Sequence, residues 1–364
     1  MKLQQIIDKI EAFAPLALQE SFDNCGLLVG RRDAEIAGAL LCLDVSEAVI
    51  DEAVRLGYNL IISHHPLIFK GLKSLTESNE VERCVAQAIR HNIAIYASHT
   101  CMDSANGGVN FRMAQKLGLQ NVRVLVPQRN KLLKLVTFVP LAQLESVRSA
   151  LFAAGAGHIG RYDACSYSSQ GSGTFRAGEG SNPFCGAIGE FHTENEARLE
   201  VVLPTYRQTA VVKALLQAHP YEEPAFDLIP LANAWNSVGL GIVGDLPQAM
   251  AETDFLSQLK AVFNADCIKH SPLLGRNLKR IALCGGSGAD FIANAKAAQA
   301  DAFVTADVGY HRFFEADGTL LIADIGHFES EQFTKEIFLE QISKNFPNFA
   351  VRMSESEPRR VFAF

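Results

Sequence analysis

Three short apolar runs, far apart in this chain, each stop on histidine and carboxylate side chains. Leu60-Ile61-Ile62-Ser63 runs into His64-His65. Ile93-Ala94-Ile95-Tyr96-Ala97 precedes His99 and Asp103, and Leu320-Leu321-Ile322-Ala323-Asp324 precedes His327 and Glu331. Unbroken apolar runs of this length read as strands buried on both faces, the habit of parallel sheets. In an open α/β sheet, sites form just past the carboxyl ends of the strands. One such sheet predicts that all three clusters share a rim, and imidazole with carboxylate is a donor set for first-row transition metals.

The segments between the runs support an α/β reading. Up to about residue 130, strands at 39–44, 59–63 and 93–98 alternate with helices at 46–56 (capped by Ser46) and roughly 80–91. From about residue 235 the rhythm resumes. A strand at 279–284 enters Gly285-Gly286-Ser287-Gly288, a helix follows near 290–299, strands lie at 302–305 and 320–323, and a helix covers about 328–344. Residues 131–233 differ. Strands at 134–139, 163–168, 196–203 and 225–230, helices at 141–154 and 205–218, and a Gly/Ser-rich loop at 170–183 give the order β-α-β-β-α-β, a ferredoxin-like signature. The expected architecture is therefore a discontinuous outer α/β domain with a mostly parallel sheet, residues 1–130 and 234–364, carrying an inserted ferredoxin-like α+β domain at 131–233.

Composition narrows the functional classes. With 364 residues, 48% of them hydrophobic, the chain can bury a substantial core. A formal net charge of −7 gives no reason to expect a nucleic-acid binder or an anchor to anionic membranes. The eight cysteines (25, 42, 84, 101, 165, 185, 267, 284) form no Cys-x-x-Cys pair, so a zinc ribbon or thioredoxin-type site is not expected. Leu3, Ile6, Ile7, Ile10 and Phe13 recur at helical spacing among charged residues, which reads as an amphipathic helix rather than a signal peptide. No apolar run reaches the ~20 residues of a membrane span. The expected setting is cytoplasmic, with reduced thiols.

Each cluster has an ordinary alternative when taken alone. Neighbours on a strand point to opposite faces, so His64 and His65 can each serve a different cation where the strand stops at Pro66. They can equally be polar strand-end residues in solvent. His327 and Glu331, at i and i+4, share a helix face. An exposed helix start with acidic residues near its positive end gives the same pattern. Asp103 has two oxygens with which to bridge two cations, and Gly107-Gly108-Val109-Asn110 turns into a helix near 110–117 whose start is suited to an anion or is simply a turn. The Cys284-to-Gly288 amides are candidates for a phosphate cradle, although the Lys-Ser/Thr of a P-loop is missing. Asp307 and His311 follow another strand as outer-sphere groups, substrate contacts or surface residues.

At these residues the chain resembles the NIF-three-like family, whose members carry the name GTP cyclohydrolase type-two homologue. The resemblance runs through Asp23-Asn24-Cys25-Gly26-Leu27-Leu28-Val29-Gly30, Ser63-His64-His65-Pro66, His99 to Asp103 with Gly107 to Asn110, Gly239 to Gly244, Cys284 to Gly288, Thr305-Ala306-Asp307 and Gly326 to Glu331. The insert, with His219-Pro-Tyr-Glu-Glu-Pro224, is similar to the signal-transducer/CutA-like domain of the longer members. The resemblance implies a dinuclear centre held by His64, His65, Asp103, His327 and Glu331, with Asp103 and Glu331 bridging two divalent cations. Zinc, manganese, iron, cobalt and nickel all suit such ligands. It also implies a toroidal homohexamer with metal sites facing an inner cavity. Cys101-Met102 stands where Asn-Leu is more usual, Ala306 where Gly is common and Phe328 where Tyr is common. The first change is expected to put a thiol near the metals.

Two functions follow from these expectations. One is a metal-dependent hydrolase acting on a nucleotide-type substrate, GTP cyclohydrolase-like, with His99 or His311 moving protons. The other is a non-enzymatic ring that senses a metal or metabolite, or docks a partner.

Overall fold

A computed structural model describes residues 1–362. In chain order the elements are α1 (Leu3–Phe13), β1 (Gly26–Val29), β2 (Gly38–Cys42), α2 (Glu47–Leu56), β3 (Leu60–Ser63), α3 (Glu80–Arg90), β4 (Ala94–Ala97), α4 (Thr100–Ser104), α5 (Val109–Leu117) and β5 (Gln120–Arg129). Then come β6 (Leu132–Pro140), α6 (Leu144–Ala153), β7 (Ser166–Arg176), β8 (Phe191–Pro204), α7 (Gln208–Ala218) and β9 (Phe226–Leu231). The last group is β10 (Ala234–Met250), α8 (Glu252–Phe263), β11 (Lys269–His270), β12 (Leu278–Ser287), α9 (Ile292–Ala297), β13 (Ala302–Ala306), β14 (Leu321–Asp324), α10 (His327–Glu331), α11 (Thr334–Asn345) and β15 (Ala350–Met353). Contacts divide the chain into two compact units: Met1–Pro127 with the residues from Ser237 onward, and Gln128–Asn236.

The first unit holds two sheets where the sequence suggested one. The first sheet has the order β1-β4-β3-β2-β15, with β4, β3, β2 and β15 parallel and β1 antiparallel at the edge. The second has the order β11-β14-β13-β12-β10-β5, with β12, β13 and β14 parallel and β10 and β11 running against them. The half-chains resemble each other because each builds its own parallel centre. Apolar content on both faces explains the unbroken runs. Along β12 to β14, Ile281, Leu283, Val304, Leu321 and Ala323 pack under α5 and α8. Ala282, Cys284, Phe303 and Ile322 pack on the opposite side with Ile292 and Ala295 of α9. Complete burial of a side chain such as Phe303 contributes roughly 1.5–3 kcal/mol.

Local chemistry sets the ends of the elements. Ser46 caps α2 by accepting from the Val49 amide, Glu47 lies in its first turn, and Gly57 closes it at φ 69°. Val49, Ile50 and Ala53 then face β2 and β3. The helix expected over 328–344 is broken, because α10 stops at Glu331 and α11 restarts at Thr334. That break lets α10 carry ligands while α11 packs against α1, β2 and β15.

The second unit is a four-stranded antiparallel sheet, order β7-β8-β6-β9, with α6 and α7 sharing one core with it (Leu135, Val147, Leu151, Leu199, Val211 and Leu215). The Gly/Ser-rich stretch from Gln170 is not a loop as far as Arg176. It continues β7, paired residue by residue with β8 from Ser166↔Val201 to Arg176↔Phe191. Among the described residues no helix is long and apolar enough to cross a membrane.

Candidate metal centre

The carboxyl ends of both sheets of the first unit supply one cluster. Past β3, the His64 amide donates to Cys42 O at 3.2 Å and the His65 amide to Leu43 O at 2.9 Å, so the ladder with β2 holds both residues beyond the strand end. The rings lie 5.0 Å apart and face different partners. Past β4, the turn of α4 carries Asp103. Its carbonyl accepts from Asn110 Nδ2 at 3.1 Å, and Asn110 Oδ1 accepts from the Gly285 amide of β12 at 2.9 Å. Past β14, Gly326 at φ 95° turns the chain into α10, which presents His327 and Glu331. Gly286 of β12 leaves the space for the last of these, since a Cβ there would sit 2.2 Å from Glu331 Oε1.

His99 joins His64 and His65 in one group of donor atoms, and two triads at similar spacing share Glu331. In one, His64 Nε2 stands 3.6 Å from Asp103 Oδ1 and 3.6 Å from Glu331 Oε1. In the other, Glu331 Oε2 lies 2.9 Å from His65 Nε2 and 3.1 Å from His327 Nε2, and the two histidine nitrogens face each other at 3.3 Å. Both triads meet the spacing needed to hold an ion. His64 Nε2 and Asp103 Oδ1 are buried without a hydrogen-bond partner. A 3.6 Å gap is too long for a hydrogen bond. It is close to the ~3.4 Å edge of a tetrahedral ion with bonds of about 2.1 Å. Orphaned buried polar atoms are costly, and a cation is the partner that satisfies both at once. The residues therefore fit two divalent cations.

Electrostatics agree with that fit. Asp103 loses solvent and lies beside the Glu331 charge, which pushes its pKa up to about 7. Burial also acts to raise Glu331. The His64 charge and the hydrogen bonds of His327 and His65 outweigh it and hold that carboxyl well below its usual range. For His65, burial favours the neutral ring, but bonds to Asp44 and Glu331 prevail and lift it to about 11. His327 reaches about 9 against its own burial, through Glu331 and Asp307.

Each imidazole is oriented from behind. His64 Nδ1 meets Ser98 O at 3.0 Å, His65 Nδ1 meets Asp44 Oδ1 at 2.9 Å, and His327 Nδ1 meets Asp307 Oδ2 at 2.7 Å. His99 Nδ1 meets Asp23 Oδ1 at 2.9 Å, and its ring stands 5.2 Å from that of His64 and 5.3 Å from that of His65. Such partners fix which nitrogen is free to act. Asp307, one of the residues open at the sequence level, is thus an orienting group. Asp44 was missed, although it too follows a strand, β2. Asp23 was visible only as part of a motif.

Three expectations change. His311 is exposed on a 3₁₀ turn, its ring against Tyr310 and Phe314, and it belongs to neither triad. Cys101 belongs to neither triad, and its Sγ lies 3.2 Å from Ser98 Oγ and 3.4 Å from Cys25 Sγ. The Cys284-to-Gly288 segment is no phosphate cradle. Its Gly285, Gly286 and Gly288 amides are already engaged by Asn110, Ser330 and Thr305.

A cavity of about 590 Å³ opens on Asp44, His65, Asp307 and His327, and Arg359 and Arg360 contribute to its wall. Arg359 pairs with Glu329 and Asp266, and Arg360 with Glu80.

Comparison with known proteins places these features in a family. The family model described as Duf34/NIF3 (NGG1p interacting factor 3) matches residues 1–359. A relative from Halalkalibacterium halodurans, named GTP cyclohydrolase 1 type 2 homolog, is 41% identical over 344 residues, 94% of this chain and 92% of its own. A Bacillus subtilis relative of the same name is 38% identical, over 97% of this chain and 96% of its own. The crystal structure of a Bacillus cereus protein related to NIF3 superposes with a TM-score of 0.86 at 36% identity, covering 100% of this chain and 99% of that one.

Proposed function

The chain belongs to the Duf34/NIF3 family, and from that premise we propose that it is a dinuclear metal-dependent hydrolase acting on a nucleotide-type substrate. The observation that carries the reading is Glu331, whose two oxygens face two separate groups of donors. His64 and Asp103 would complete one site, and His65 and His327 the other. When bound, two divalent cations supply Lewis acidity and lower the pKa of water toward neutrality. The protein's own part is to hold and dehydrate the ligands, and to move a proton. His99 suits that last task, because Asp23 occupies its Nδ1 and leaves Nε2 to exchange a proton in the cluster. The neighbouring cavity has the volume of a small-molecule site. Its two guanidinium groups are paired with Glu329, Asp266 and Glu80 and would take the phosphates of a nucleotide, the substrate class in the relatives' name, by exchanging those partners.

The same reading takes the second unit as an inserted ferredoxin-like domain. It places the chain in a cytoplasmic homohexameric ring with the metal sites turned inward. The regulatory alternative is favoured by one observation, a cavity of about 660 Å³ in the second unit whose lining includes no residue of the triads. One assay separates the two. The purified chain, loaded in turn with zinc, manganese, iron, cobalt or nickel, is offered a panel of nucleotides and phosphoesters. The hydrolase reading expects turnover that disappears in Asp103→Ala and Glu331→Ala. A folded, metal-loaded chain that turns over nothing supports the sensor.

A further inference from the structure

We infer that the second unit carries its own cation site, formed by Cys185, His192 and Glu194 and suited to a thiophilic divalent ion such as zinc or cobalt. Alternation along β8 places His192, Glu194 and Glu196 on one face of the strand. In the register with β7, Gly173 stands opposite Glu194 and Gly171 opposite Glu196. Gly173 leaves room for Glu196 on this face, since a Cβ there would lie 2.0 Å from Glu196 Oε2. The low strand propensity of Gly171-Ser172-Gly173 is the cost of that clearance.

The connection from β7 to β8 then brings a thiol across the open face. Gly186 adopts φ 77° with its backbone against the His192 ring, where a Cβ would come within 3.0 Å. This seats Cys185 so that its Sγ, a His192 nitrogen and a Glu194 oxygen all lie within 4.8 Å of one another. The supports resemble those of a built site. His192 Nε2 lies 3.0 Å from Glu194 Oε2, and Phe175 packs on the imidazole at 5.2 Å. The Tyr221 hydroxyl is 3.8 Å from Cys185 Sγ and donates to Glu196 Oε1 at 2.7 Å.

Thiolate, imidazole and carboxylate together select zinc-like ions over magnesium or calcium. Three protein ligands leave a fourth position for water or a small ligand. The cavity of about 660 Å³ lined by Phe175, Phe184, Glu196 and Tyr221 adjoins the triad through Tyr221 and Glu196. No residue of this site belongs to the Glu331 triads, so the inference stands or falls apart from the hydrolase reading.

The test titrates the full-length chain, stripped by chelator, with cobalt(II). A thiolate-to-cobalt charge-transfer band in the near ultraviolet reports a sulfur ligand, which neither Glu331 triad supplies. The expected result is a band that disappears in Cys185→Ser, weakens in His192→Ala and persists in Glu331→Gln, where the triads no longer compete for the ion and it saturates at one equivalent per chain. Circular dichroism confirms that each variant is folded. A wild-type chain without the band overturns the proposal. So does a folded Cys185→Ser chain that keeps it, since the thiolate would then come from elsewhere.

Discussion

Replacing Glu331 by Gln separates a shared carboxylate from one that serves a single ion. The carboxylate is 2% exposed, with Oε1 3.6 Å from His64 and Oε2 2.9 and 3.1 Å from His65 and His327. Glutamine keeps the volume and one acceptor oxygen. It loses the charge and puts an NH₂ where the other oxygen was. Unpairing a buried charge costs about 3–5 kcal/mol, which is roughly 10²–10⁴-fold in a dissociation constant. Because both triads include this carboxylate, both ions should weaken together. Asp103→Asn touches only the His64 triad and His327→Ala only the His65 triad. In a Cys185→Ser background, which removes the site inferred in the second unit, elemental analysis after gel filtration should therefore find about two ions per chain, about one when Asp103→Asn or His327→Ala is added, and almost none when Glu331→Gln is added. Two ions retained in Glu331→Gln would refute the sharing, as would a complete loss in Asp103→Asn.

Further outcomes follow from the same contacts. Asp44→Asn and Asp307→Asn remove partners of His65 and His327 without removing ligands, so each should weaken metal binding roughly 10–100-fold in chelator competition, and unchanged affinity would deny the orienting role. Cations must displace the protons held by His65 (about 11) and His327 (about 9), so binding should release protons and tighten from pH 6 to pH 8, with pH-independent affinity as the contrary result. In the metal-free chain the raised His65 value stabilises the fold fully below the ordinary 6.5 and less as pH climbs through about 11, so its Tm should decline across that window, whereas a rise would reverse the sign. Leu199→Ala, in the core of the second unit, should cost about 2–5 kcal/mol there and leave the metal content of the Glu331 triads unchanged.

Strands buried on both faces were easy to recognise, because Leu60 to Ser63 and Leu321 to Asp324 admit few other structures. The ligands were legible for a related reason, since each follows such a strand or begins the helix after it. The number of sheets was not legible. Nothing in a single apolar run says which other run it pairs with, and the separation into two sheets rests on β5 and β10. β10 spans Ala234–Met250 with Gly239, Gly241 and Gly244, and it lacks a clear alternation. Gly239 holds φ 151° where a Cβ would strike Val126 O, a demand visible only once the neighbouring strand is in place. β7 was hidden in the same way, as a run of Ser and Gly made strand by its pairing with β8. The orienting carboxylates Asp23 and Asp44 were obscure because their partners lie 76 and 21 positions away.

The most direct measurement is anomalous diffraction at the metal edge from crystals of the metal-loaded chain. Two peaks about 3.5–4 Å apart are expected beside Glu331, one within reach of His64, Asp103 and Glu331, the other within reach of His65, His327 and Glu331. A loaded crystal with no peak beside Glu331 would contradict that expectation.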